Sequence, residues 1–151
     1  MRQAKRFRGR SGAALLEAAI VLTVFLTLIL GMVDVGTALF RTHVLTEAAR
    51  HGARQSVVHG SLASLSGSCG PQTIGPTAVQ DAGPVGQAIQ SHLSGMDPAE
   101  VTVLVEWLDG GNEPGMRVRI ALAYPYQPLF SFGMGNNPVT LGATSTMHIA
   151  H

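Results

Sequence analysis

Glu17 is the residue whose surroundings make its chemistry stand out. It is the only formal charge in the 21 residues from Ala13 to Val33, an otherwise apolar stretch, and it comes five positions after Gly12. A carboxylate near one end of a membrane-spanning helix costs little. Glu17 would lie about 6 Å along the axis from Ala13, and its side chain can reach the headgroups. Away from lipid that escape is lost. An amine from another chain at about 4 Å would then contribute roughly 4 kcal/mol at an effective dielectric of about 20. The residue also reads as a plain interfacial charge at the start of an ordinary anchor.

Other candidate chemistry is weaker. His43, His51 and His59 recur every eight residues, which on a helix means about 12 Å of rise and about 80° of rotation per step, too far apart to share a metal ion. They read as surface histidines. Gly133-Met134-Gly135 lacks the third glycine and the strand-to-helix setting of a dinucleotide loop. The serines of residues 61–68 have no G-x-S-x-G frame. The acids of the last half are scattered, and Glu106 is expected to meet Arg117 or Arg119 across a hairpin. The sequence points to no enzyme, no cofactor and no metal site.

The element that must position Glu17 is the apolar run itself. At 21 residues it would form a helix about 31 Å long, matching a hydrocarbon core of roughly 30 Å. Arg2, Lys5, Arg6, Arg8 and Arg10 precede it with no acid among them. The positive-inside rule therefore places residues 1–12 in the cytoplasm and the chain past Val33 outside. Beyond residue 12 the balance is five cations against nine acids, which argues against nucleic acid as a partner. A removable secretory signal is the competing reading. Its apolar core is shorter, roughly 7–15 residues, and the nearest small-x-small site here is Gly36-Thr37-Ala38, after Asp34. Cys69 is the only cysteine, so no intrachain disulfide can form.

A basic segment, a glycine, a small residue and a glutamate five places after the glycine, all leading into an apolar helix, resemble a prepilin processing site. The resemblance implies cleavage between Gly12 and Ala13 on the cytoplasmic side by a prepilin peptidase. The helix would stay in the mature protein, and Glu17 would be the partner of the new amine. Further along come Gly31-Met32-Val33-Asp34-Val35-Gly36 and Ala48-Ala49-Arg50-His51-Gly52-Ala53-Arg54. Together with Gly12 and Glu17, these make residues 9–56 similar to the TadE-like family of pseudopilins of the tight-adherence (Flp) pilus. That family commonly has a proline about six residues after the glutamate, where this chain has Thr23, so an expected kink is missing. The resemblance implies a minor pilin in the bacterial inner membrane that meets other pilins, the assembly machinery and lipid. It leaves open whether the subunit enters the filament or only primes it. From another class, a single-pass anchored periplasmic domain that binds a ligand or performs hydrolysis remains the alternative.

The rest of the chain supplies the head. No proline interrupts residues 34–58, and Val35, Leu39, Phe40, Val44, Ala48 and Val57 read as an apolar stripe. The spanning helix should therefore continue as an amphipathic one through about residue 59. Its small residues at 48–54 also suit a face packed on a sheet. Residues 60–84 hold five glycines, three prolines and four serines and read as loop. Pro84 to Leu93 suggests a short helix stopped at Gly95. Val101, Val103, Val105 and Trp107 alternate, as do Val118, Ile120 and Leu122, and then Val139, Leu141, Ala143 and Met147. The expected fold is α+β and pilin-like: one long N-terminal helix, and a head at 85–151 with a small antiparallel sheet of about three strands that the helix covers.

Overall fold

The computed structural model describes residues 10–58, 72–129 and 137–150. Helix α1 spans Arg10–Val58, 49 residues without a break, or about 73 Å. It passes straight through Thr23, whose hydroxyl donates to the Ala19 carbonyl at 2.8 Å. Thr37, Thr42 and Thr46 bond back in the same way to Val33, Ala38 and Thr42. In an apolar setting this local bond satisfies a hydroxyl that has no water to turn to.

The sheet has four strands, not three: β1 (Ile74–Ala78), β2 (Thr102–Trp107), β3 (Arg117–Tyr126) and β4 (Val139–His148), antiparallel and in sequence order. The extra strand, β1, lies inside the stretch expected to be loop. Its sequence, Ile-Gly-Pro-Thr-Ala, does not alternate, and its register with β2 shifts between Ile74 and Thr77. Gly75 has φ +95°, and a Cβ there would meet the Val103 carbonyl oxygen at 2.2 Å. Pro76 is tolerated because β1 is an edge strand with one side unpaired. Pro125 sits within β3 beyond the last residue that β2 pairs, where β4 is the sole neighbour. A 3-10 turn (Val79–Asp81) leads into helix α2 (Gly83–Gln90).

One face of the sheet carries Val103, Val105, Trp107, Val118, Ile120, Leu122, Tyr124 and Tyr126, all buried as their alternation requires. The second half of α1 covers it, together with Val85 and Ile89 of α2. On β4 only Ala143 of the expected four is buried, because β4 is the other edge.

The stripe by which α1 packs differs from the expected one. Of the six residues named above only Ala48 is buried. Val35, Leu39 and Phe40 are exposed, and Val44 and Val57 are half-buried. The contact face instead runs Asp34, Leu45, Ala48, Ala49, Gly52, Ala53, Ser56. It is made of small residues because the backbones come close. A Cβ on Gly52 would stand 2.7 Å from Ile89 Cγ1 and 3.1 Å from Ile120 Cδ1, both residues fully buried. The 48–54 stretch thus packs on the sheet and α2, with Arg50 and Arg54 pointing outward and Arg50 paired to Glu47 at 2.8 Å.

Glu106 pairs with Arg119, directly opposite it in the β2–β3 register. Arg117 instead forks onto Asp109, with Nη2 2.7 Å from Oδ1 and Nε 3.2 Å from Oδ2, while its backbone N–H donates to Oδ2 at 2.8 Å. These bonds, the side-chain one foremost, lower the Asp109 carboxyl to about 2.

Two expectations follow. Gly52→Ala adds overpacking worth about 1–3 kcal/mol against a helix-propensity gain of about 1 kcal/mol, so urea unfolding of the head in detergent micelles should show a net loss. The same change at Gly36, where nothing lies within 4 Å of a Cβ, should be neutral or stabilising. Asp109, whose folded value is depressed, stabilises the head above the ordinary carboxylate range and loses that contribution as pH falls towards 2. A carboxyl NMR titration should find its midpoint near 2, rising towards the ordinary range in Arg117→Ala.

Candidate functional site

The sequence's candidate residues all lie in the N-terminal half of α1, whose large apolar side chains are exposed. Gly12, Ala13 and Glu17 are within the helix and exposed. No other part of the structure comes within 4 Å of a Cβ built on Gly12. None of the ion pairs of the described residues involves Glu17. Around and beyond Glu17, Leu15, Leu16, Ile20, Val21, Leu22, Val24, Phe25 and Leu28 are all exposed. This helix is long and apolar enough to cross a membrane. It is apolar all round, as a lipid-facing or helix-packed segment must be.

The two halves of α1 meet at Asp34, which sequence reasoning named within the Gly31–Gly36 step, without a role of its own. Asp34 is buried and ties the helix to the far end of the sheet. Leu129 N–H donates to its Oδ1 at 3.0 Å. The Tyr126 hydroxyl approaches the Asp34 carbonyl at 3.3 Å and Oδ1 at 3.4 Å. Burial, reinforced by the Asp34 charge, pushes the Tyr126 hydroxyl up, so it stays protonated and able to donate. Two turns on, the Arg41 guanidinium donates to the Tyr124 hydroxyl at 2.6 Å and lies over the rings of Tyr124 and Tyr126, 5.1 and 5.2 Å from their centroids. Sequence reasoning missed this cluster. Its signals were Tyr124-Pro125-Tyr126, in which both tyrosines fall on the strand's inner face, and an acid placed where an apolar run stops.

The histidines divide. His43 is exposed, and His59 lies outside the described residues, as does Cys69. His51 stacks on His92 of the turn after α2, with ring centroids 3.7 Å apart, a pairing across the α1–α2 contact that spacing could not reveal. Among the described residues no group of three His, Cys, Asp or Glu could hold a metal ion.

Removing the Asp34 carboxylate leaves a part-buried Leu129 N–H without its acceptor, which costs about 1–3 kcal/mol. Asp34→Ala should lower the urea midpoint of the head accordingly and speed amide exchange at Leu129. Asp34→Asn keeps an acceptor oxygen and should lose less.

The sequence model of the TadE-like protein family matches residues 12–54, from the glycine before the apolar run to the second arginine of the packed small-residue stretch. No curated protein and no solved structure matches the chain. The matched region contains Glu17, Asp34 and Gly52 and almost the whole of α1. Over residues 12–54 the chain is therefore similar to TadE-like proteins, a structural, non-enzymatic, pilin-like family associated with the Tad pilus.

Proposed function

We propose that the chain is a membrane-anchored pseudopilin acting in assembly of a Tad-type adhesive pilus. The observation that carries this reading is the division of one continuous helix: an apolar half whose large side chains are mostly exposed in the described structure, and a small-residue half packed against the head, with the TadE-like match running across both. A free-standing apolar half is what a subunit needs if its helix is to leave lipid for other pilus helices.

In this reading residues 1–12 form a cytoplasmic leader that a prepilin peptidase removes at Gly12-Ala13. Residues 13–33 span the inner membrane, residues 34–59 carry the helix into the head, and the head lies on the periplasmic side, where it meets other pilins. The leader's five cations support this orientation. Glu17 pairs with the new N-terminal amine of a neighbouring subunit and sets the stagger between them. The exposed, uncrowded setting of Gly12 suits a cut there. Release after Ala38, the secreted alternative, would discard Asp34 and with it the bonds to Tyr126 and Leu129.

Gly12→Asp should block maturation while leaving insertion intact, and N-terminal sequencing of the wild-type membrane protein should begin at Ala13; a start at Leu39 would support secretion instead. Glu17→Ala should be cleaved normally yet fail to assemble. Loss of a few kcal/mol per contact lowers association by tenfold for each 1.4 kcal/mol. Glu17→Gln, which keeps size but not charge, should fail likewise. Membrane crosslinking and a pilus-dependent adherence assay read the outcome, and wild-type adherence by both variants would return Glu17 to the role of an interfacial charge.

A further inference from the structure

We infer that the underside of the head is a lipid-docking surface, seated in the outer-leaflet interface through Leu129 and Val139, at the end of the head from which α1 exposes Val35, Leu39 and Phe40. The inference rests on the membrane-anchored reading and goes beyond it, because an anchor by itself requires only that the helix cross.

The geometry is set by Asp34. Ala18 to Val33 carry no formal charge, with Glu17 at one end and Asp34 at the other. The stretch from Ala13 to Val33 is about as long as the hydrocarbon is thick. The outer edge of the hydrocarbon therefore falls at Asp34. The Leu129 backbone donates to the Asp34 carboxylate at 3.0 Å, so the head is tied to the helix at the level where lipid ends. At that level the head presents apolar side chains outward: Leu129 is 75% exposed and Val139 40%. Val139 pairs with Tyr126 in the β3–β4 register and so shares its helix-facing side. On the helix, Val35 is 61% exposed and Leu39 and Phe40 are each 57% exposed. They continue the apolar surface of the span past the point where a minimal anchor would turn polar.

Above this collar comes the chemistry of a headgroup layer. Arg41 is seven residues past Asp34, about 10 Å further along the axis, and sits against Tyr124 and Tyr126. Arginine, with an apolar stem and a charged tip, is favoured at that depth, and the two buried tyrosines hold Arg41 in place. Among the described residues Arg41 has no carboxylate partner. The occupant is therefore the lipid interface. A second copy of the chain is the competing occupant.

The test uses the full chain in phosphatidylcholine–phosphatidylglycerol liposomes with Cys69→Ser as background and single cysteines carrying an environment-sensitive fluorophore. The labels are at Leu129, at Val24 in the apolar half of α1, and at Leu108. Leu108 is 41% exposed and bonds to Arg117 at the opposite end of β3, about 30 Å from Tyr126. Lipids carrying a nitroxide high on the acyl chain should quench the labels at 24 and 129 at least twofold and leave the label at 108 unaffected. Quenching at 24 without quenching at 129 would overturn the docking surface while leaving the anchor intact. No quenching at 24 would remove the anchored reading and the docking surface with it. A blue shift at 129 that grows with protein density but is insensitive to quencher lipids would show that a second copy covers the patch, and would overturn the inference too.

Discussion

The constraint on which this structure depends is that one rigid helix has two solvents. From Gly12 to about Val33 most of its apolar side chains are exposed in the described structure, and from Asp34 to Ser56 its neighbours are its own sheet and α2. A helix can serve both only if its backbone bonds close internally throughout, which explains the absence of proline from 10–58 and the threonines that bond to the carbonyl four residues back. With no proline at position 23, orientation set at one end is carried to the other without a hinge.

Packing at the head end uses closeness more than bulk. Ala48, Ala49, Gly52 and Ala53 add little apolar area each, but they let Ile89 and Ile120 press against the helix backbone. Dispersion falls off within an ångström or so of optimal contact, so a small-residue face gains by approach what it lacks in side-chain volume. The Asp34 and Arg41 bonds then fix rotation and height, which a smooth alanine face leaves weakly defined. Apolar contact thus holds the head on the helix, and polar contact at one end holds its register.

The fold's legibility in sequence followed the regularity of its surroundings. β2 and β3 were readable because one face meets an apolar core and the other meets water, so Val101 to Trp107 and Val118 to Leu122 alternate cleanly. β1 was hidden because a glycine and a proline on an edge strand break the pattern, and because its pairing shifts register. The helix stripe was misread for a physical reason. Counting apolar residues locates a core only when the alternative is water, and Val35, Leu39 and Phe40 lie where the chain is leaving an apolar run. The true contact face was marked by smallness, at Ala48, Ala49, Gly52 and Ala53, and by one buried acid. Gly12, Ala13 and Glu17 were read as a local motif, whereas the Asp34–Tyr126–Leu129 and Arg41–Tyr124 contacts join positions some 80–95 residues apart and no local pattern could announce them.

The exposed half of α1 also limits how the subunit could move. Leu15, Leu16, Ile20, Val21, Leu22, Val24, Phe25, Leu26, Leu28 and Ile29 are each exposed by 40% or more, and fully burying a side chain of this kind is worth about 1.5–3 kcal/mol. Transfer of the bare helix to water would therefore cost well over 10 kcal/mol, comparable to the whole stability of a typical domain. In the proposed reading, a subunit leaving the bilayer would pass its apolar half directly from lipid to other apolar helices, with no aqueous intermediate. Apolar contact is non-directional, so that exchange alone would leave the vertical offset between neighbours undefined. A single carboxylate close to the helix start is the sort of group that can define it. Its own chain leaves it unpaired among the described residues, and the strength of its attraction to an amine rises as lipid and water are both excluded.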